Sequence, residues 1–239
     1  MRDESLTGMA GDIKGGAPGG WLVTGWFTPN YRPLAEKLAA NLAQYNAPLH
    51  LWAKPKAPSG WNTWRKPSVV LETMEAYPGK TVILMDTDCL VSGDLTPMTQ
   101  FAGDVGLTLK ARRMRLLEGF HKRLTLKTSS RVVVFRPTEG ARAFAQEWER
   151  LLKSAPYEGD EVSMVMAFLR RPDISYCHLD PRFAGDEVGN TVPDAVLAHY
   201  GAHGRSKSSR LGNALKEIER RFFRSGRSQA AKRAWRESS

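Results

Sequence analysis

The chain has 239 residues, 41% of them hydrophobic and 25% charged, the balance of a soluble globular protein with length enough for one sizeable core. No run of 18 apolar residues occurs, which argues against a membrane-spanning helix. The formal net charge is +10, yet from Arg205 onward eleven basic residues stand against three acidic ones, leaving a surplus of about two for everything before. Charge segregated in this way argues against a protein whose whole surface grips nucleic acid.

The first twenty residues are polar and Gly-rich, without the apolar core of a secretory signal, and read as a flexible arm, residues 1–20. Residues 21–27 predict a first strand. Residues 32–44 carry Leu34, Leu38 and Leu42 at helical spacing, with Pro33 tolerated in the first turn. Residues 48–52 predict a second short strand, and 54–64, rich in Pro, Gly, Ser and Trp, a loop. Residues 66–76 predict a helix and 80–85 a buried strand. Strands are expected at 104–109 and 131–135, with a basic segment of no clear period between them, 110–127.

Residues 138–152 predict a helix capped by Thr138, with Ala141, Phe144, Ala145, Trp148, Leu151 and Leu152 on one face. A further helix is expected at 160–169, and late strands at 174–179 and 195–200. The stripe of Leu211, Leu215, Ile218 and Phe222 predicts a final helix over 210–223. Cys89 and Cys177 lie beside apolar runs and read as reduced, buried thiols of a cytosolic protein. Alternating strands and helices imply an α/β fold, one domain with a mainly parallel central sheet flanked by helices.

The most informative stretch is Val82-Ile83-Leu84-Met85-Asp86-Thr87-Asp88. A buried strand ends in two aspartates one residue apart, at the edge where open α/β sheets bind ligands. Residues i and i+2 of a strand project to one side. Two hard oxygen ligands on one side suit Mg2+ or Mn2+, which can bridge to a diphosphate; the plainer reading is a polar turn. A haloacid-dehalogenase-like phosphohydrolase, with Asp86 as nucleophile, is a second enzyme class that uses such a pair. It usually carries the pair near the N-terminus, whereas here it lies mid-chain. A basic adaptor binding nucleic acid or membrane through the tail is the nonenzymatic alternative. A nucleotidyltransferase lacks support, since no Gly-rich phosphate loop follows the first strand.

Further pieces follow in a fixed order. They are a first strand with Thr24, Thr28 and Tyr31 after it, Lys66 heading a helix, and Asp86-Thr87-Asp88-Cys89-Leu90-Val91. Next come Ser129-Ser130-Arg131, then Gly159-Asp160-Glu161, and then His199-Tyr200-Gly201 with His203, Gly204, Arg205 and Lys207. Over residues 21–207, about three quarters of the chain, this order resembles the metal-dependent, nucleotide-sugar-using glycosyltransferases of GT-A fold, in the style of the glycogenin and bacterial lipopolysaccharide galactosyltransferase group.

The resemblance implies that Asp86, Asp88 and His199 hold Mn2+ or Mg2+, and that Asp86 also faces the donor. It implies a nucleobase site at Thr24, Thr28 and Tyr31 and donor contacts at Lys66, Ser130, His203 and Lys207. Asp160 would bind sugar hydroxyls and Glu161 would stand near the anomeric carbon, as base or on the opposite face. Each has a plainer reading: His199 as a core histidine with His203 its competitor, Lys66 as a surface lysine, Tyr31 as a packing residue, Asp160 as a helix cap. Two departures stand out: Arg131 where the family has glycine, and Gly201 one position early. The implied partners are a UDP- or GDP-sugar donor and a glycan or lipid-linked acceptor. The basic tail, 208–239, is either a solvated helix packed on the domain or a contact with an anionic membrane, which would make a cytoplasmic enzyme peripheral at the inner face.

Overall fold

A computed structural model describes residues 11–56, 65–115, 122–154, 159–187 and 192–199. The expected loop residues 57–64, Tyr200, His203, Lys207 and the tail helix lie outside these. The elements run β1 (Ile13–Gly15), β2 (Trp21–Phe27), α1 (Arg32–Ala43), β3 (Leu49–Ala53), α2 (Lys66–Ala76), β4 (Thr81–Met85) and β5 (Cys89–Val91). They continue as β6 (Val105–Arg115), β7 (Lys122–Phe135), α3 (Glu139–Ser154), α4 (Asp160–Arg170), β8 (Tyr176–His178), β9 (Asp186–Glu187) and β10 (Leu197–His199).

Among the described residues the main sheet has seven strands in the order β1-β3-β2-β4-β7-β6-β8. Every residue of β4 is buried, as expected of a central strand covered on both faces. Its side chains alternate between two cores. Ile83 and Met85 join Leu38, Leu42, Leu51 and Val132 on the α1 side. Val82 and Leu84 join Val70, Phe144, Trp148 and Met164 on the side of α2, α3 and α4. Trp148 and Phe144 are fully buried, and burial of large side chains such as these contributes about 2–3 kcal/mol each.

Two expectations need correction. The sheet is mixed, not mainly parallel: β2 pairs parallel with β3 and β4, and β6 with β8, but β4–β7, β6–β7 and β1–β3 are antiparallel. Residues 110–115 and 122–127 continue β6 and β7 as an antiparallel pair, where a helical crossover would have kept the two strands parallel.

The second correction concerns the arm. Within residues 1–20, Ile13–Gly15 pair with Leu49–Leu51 of β3 as an edge strand. Asp12 clasps this edge. Its Oδ1 accepts from the Ala53 backbone N–H at 2.8 Å, and its Oδ2 lies 2.9 Å from Nε2 of buried His50.

Asp104 ties three elements together where β6 begins. Its Oδ2 accepts from the Ser175 N–H at 2.9 Å and hydroxyl at 2.6 Å, and its Oδ1 accepts from the Thr138 hydroxyl at 2.7 Å. Thr138 in turn accepts from the Ala141 N–H at 3.2 Å, capping α3 as its sequence predicts. Gly140 makes room, since a Cβ there would meet the Asp104 carboxylate at 2.6 Å. Burial pushes the Asp104 pKa up, but the hydrogen bonds from Ser175 and Thr138 outweigh it and hold the pKa below its ordinary value. The folded state therefore releases this proton more readily than the unfolded chain. The stability Asp104 contributes is fully present above the unfolded pKa and is lost as pH falls through the folded one. Urea unfolding of Asp104→Asn against wild type should show a gap at pH 7 that narrows below pH ~4; a gap that does not change with pH would contradict the assignment.

Candidate functional site

The carboxyl end of β4 delivers Asp86 and Asp88 to the sheet edge that β2, its parallel neighbour, also reaches. The Asp86 N–H donates to the Arg131 carbonyl at 3.0 Å, which fixes the first residue beyond the strand. Gly25 of β2 permits this approach, because a Cβ there would lie 2.5 Å from the Met85 carbonyl oxygen. A second sheet, of β5, β10 and β9, closes against this end. Its register sets His199 opposite Cys89, the residue after Asp88. His199 Nε2 consequently lies 2.9 Å from Asp88 Oδ1.

Lys66, the first residue of α2, is 4% exposed, and its ammonium lies among acids. Nζ is 2.8 Å from Asp86 Oδ1 and 2.9 Å from Asp160 Oδ2, and it donates to the Ser130 carbonyl and hydroxyl at 3.1 Å each. Ser130 donates its own proton to Asp160 Oδ2 at 2.6 Å. Asp160 opens α4 just after Gly159, whose φ of +82° suits glycine. Its backbone carbonyl accepts from the Trp148 indole at 3.0 Å, so the buried tryptophan of α3 helps hold the site.

Electrostatics follow from this packing. Burial works against the Lys66 charge, but Asp86 and Asp160 outweigh it and raise the lysine pKa above its ordinary value. Burial likewise raises the Asp86 pKa, and Lys66 offsets only part of that. For Asp160 burial is outweighed by Lys66 and Ser130, and the pKa falls. Burial also keeps the adjacent Cys89 thiol protonated.

Asp86, Asp88 and His199 each offer one ligand atom, all within 4.8 Å of one another. A cation with ligand bonds near 2.1 Å spaces its ligands by about 3–4 Å, so small side-chain movements would close the set. His199 Nδ1 is buried without a hydrogen-bond partner, an unmet polar atom at the cluster. Asp86, Asp88 and Asp160 bring three carboxyl groups to this end of the sheet, with the Lys66 ammonium between Asp86 and Asp160, and carboxylate oxygens are the groups a hard divalent ion draws on. Two carboxylates and an imidazole are a donor set for Mn2+ or Mg2+.

The remaining site expectations divide. Ser130 and Asp160 join the cluster, and Glu161 follows Asp160 in the first turn of α4, partly exposed. Thr28 and Tyr31 follow the carboxyl end of β2, with the Thr28 hydroxyl donating to Asn30 at 2.7 Å. Thr24 does not reach the cleft. It is fully buried, with its hydroxyl 2.8 Å from Thr73 Oγ1 and 3.1 Å from the His50 carbonyl, so it serves the core. Not read from the sequence were Trp148 and the Arg131 carbonyl as supports of Asp160 and Asp86. The apolar spacing of α3 explains Trp148 as core alone, and a carbonyl leaves no mark on a sequence.

No protein-family model and no curated relative matches the sequence. Solved structures match the fold. The glycosyltransferase GlyE of Streptococcus pneumoniae TIGR4 superposes with a TM-score of 0.50 at 14% identity, over 77% of this chain and 55% of that one. Its apo-form gives 0.51 at 12% over the same shares. The galactosyltransferase LgtC in complex with donor and acceptor sugar analogs gives 0.48 at 11%, over 82% and 94%. This chain thus spans about half the length of GlyE and has the GT-A glycosyltransferase fold, with its acid and histidine cluster at the carboxyl end of β4.

Removing the Lys66 charge should leave Asp86 and Asp160 buried side by side without compensation. Lys66→Met is expected to cost about 3 kcal/mol of stability by urea unfolding at pH 8; a loss below about 0.5 kcal/mol would show that the ammonium is not what holds these acids together.

Proposed function

We propose that this protein is a metal-dependent glycosyltransferase, moving a hexose from a UDP- or GDP-sugar to a glycan or lipid-linked acceptor. The observation that carries this is the convergence of Asp86, Asp88 and His199 beside the Lys66–Asp160–Ser130 group, on a fold shared with a glycosyltransferase. A Mn2+ or Mg2+ ion held by Asp86, Asp88 and His199 would act as a Lewis acid toward the nucleoside diphosphate that leaves.

The protein's own groups take the remaining work. Lys66 orients Asp86 and Asp160 and adds a fixed positive charge beside the leaving diphosphate. Asp160, kept ionised, accepts from sugar hydroxyls, and Ser130 fixes which of its oxygens is free. Glu161, one residue on, stands near the anomeric carbon, as base for the acceptor hydroxyl or as stabiliser on the opposite face. Thr28 and Tyr31 would border the nucleobase. A lipid-linked acceptor would be met at the inner membrane face if the basic tail, residues 208–239, contacts an anionic membrane there. The phosphohydrolase alternative is the weaker one. Both Asp86 oxygens lie within 3.1 Å of the Lys66 ammonium, which blunts that carboxylate as a nucleophile.

Asp88 is the cleaner probe of the metal, because Asp86 also holds Lys66. Asp88→Ala should lower Mn2+-dependent release of nucleoside diphosphate from UDP- or GDP-sugars at least about 100-fold, with an unfolding midpoint close to wild type. Retained turnover in this variant would count against the proposal, and a fluoroberyllate adduct on Asp86 would favour the hydrolase.

A further inference from the structure

Of the tryptophans among the described residues, Trp148 fills the core of α2, α3 and α4, and Trp21 packs against the core on the α1 side. Trp52 of β3 is held by its neighbours. Its indole donates to the Thr73 hydroxyl at 2.9 Å, and its ring stacks on His50 with 3.9 Å between centroids. Trp26 of β2 has no such task. It is partly exposed, it belongs to neither core, and among the described residues nothing accepts from its indole N–H. A tryptophan taken partly out of water usually finds a partner for that group.

Its place follows from the register. Thr24 pairs with Leu84 of β4, and two residues on come Trp26 and Asp86, on neighbouring strands. The Thr24 hydroxyl meets Thr73 of α2, and the Asp86 carboxylate meets Lys66 at the head of α2. Trp26, two residues after Thr24, projects to the same side. It therefore stands on the α2 face of the sheet's carboxyl edge, one strand away from the acid cluster. Tyr31, by contrast, packs against the core on the α1 side.

The strand order supplies a direction. β4 lies between β2 and β7. The proposed metal and diphosphate belong at the end of β4, and Asp160 with Ser130 draws the sugar toward β7 and α4. A nucleotide sugar carries its diphosphate between sugar and nucleoside, so the nucleoside is left to point across β2. What it meets there is an indole without a partner.

We propose that Trp26 stacks on the donor's base and favours a purine, which makes the donor a GDP-sugar in preference to a UDP-sugar. Stacking strengthens with the ring area that overlaps. A purine matches the two fused rings of an indole, whereas a pyrimidine covers only one. The N–H lies in the ring plane and is left for a ribose hydroxyl. Residues 54–65, which connect β3 to α2, contain Trp61 and Trp64 and no acid, a composition suited to a flat, uncharged ring. The inference rests on the transferase reading for the diphosphate at Asp86 and Asp88.

The test is calorimetric titration of the full-length chain with GDP, UDP and pyrophosphate, each with Mn2+. GDP should bind at least about fivefold tighter than UDP and at least about tenfold tighter than pyrophosphate. In Trp26→Ala, GDP should fall to within about threefold of pyrophosphate. Pyrophosphate itself should bind this variant as it binds wild type, a result that an indirect effect on the fold would not give. UDP bound as tightly as GDP, a preference for GDP that survives in Trp26→Ala, or an equal loss of GDP and pyrophosphate overturns the proposal. Pyrophosphate bound by wild type with no gain from guanosine overturns this inference and leaves the transferase reading standing. Wild type that binds none of the three overturns both.

Discussion

The constraint on which the site depends is the Lys66 ammonium, buried between Asp86 and Asp160. Each of the three charges would be costly to bury alone. Together they satisfy one another, with the Ser130 carbonyl and hydroxyl completing the lysine's hydrogen bonds. The group also joins four elements, since Lys66 starts α2, Asp86 follows β4, Ser130 lies in β7 and Asp160 starts α4. One ion cluster thereby sets how two helices meet two strands at the open edge of the sheet.

On the other side of the site Asp88 and His199 meet, within reach of Asp86. The small sheet of β5, β10 and β9 provides this second half, delivering a histidine from near residue 200 to a carboxylate at 88 through three register pairs. The fold thus separates two tasks. Lys66 fixes Asp86 and Asp160 on one side, and Asp88 and His199 stand together on the other, where the proposed metal would be held.

The sequence made some of this legible. The apolar run of β4 ending in Asp86 and Asp88 carried both the buried strand and the acidic pair, because alternation and charge are local properties. The capping role of Thr138 and the buried face of α3 were local in the same sense. What escaped was long-range or unpatterned. Lys66 looks like a surface lysine at a helix start until two acids from elsewhere fold onto it. Residues 110–127 lack apolar alternation, so the long antiparallel pairing of β6 with β7 could not be read. Ile13–Gly15 carry too little hydrophobic signal to announce an edge strand that Asp12 secures from outside it. Thr24 shares its strand with residues that approach the cleft, yet its partners Thr73 and His50 come from neighbouring elements and draw it into the core.

The account turns on whether acids and histidine at the end of β4 bind a divalent ion together with a nucleoside diphosphate. Isothermal titration calorimetry of the full-length protein with UDP or GDP, in the presence and absence of Mn2+, asks this directly. The account predicts binding of one of them only when Mn2+ is present, and none in Asp88→Ala under the same conditions. Binding that is indifferent to Mn2+, or that survives loss of Asp88, would contradict it.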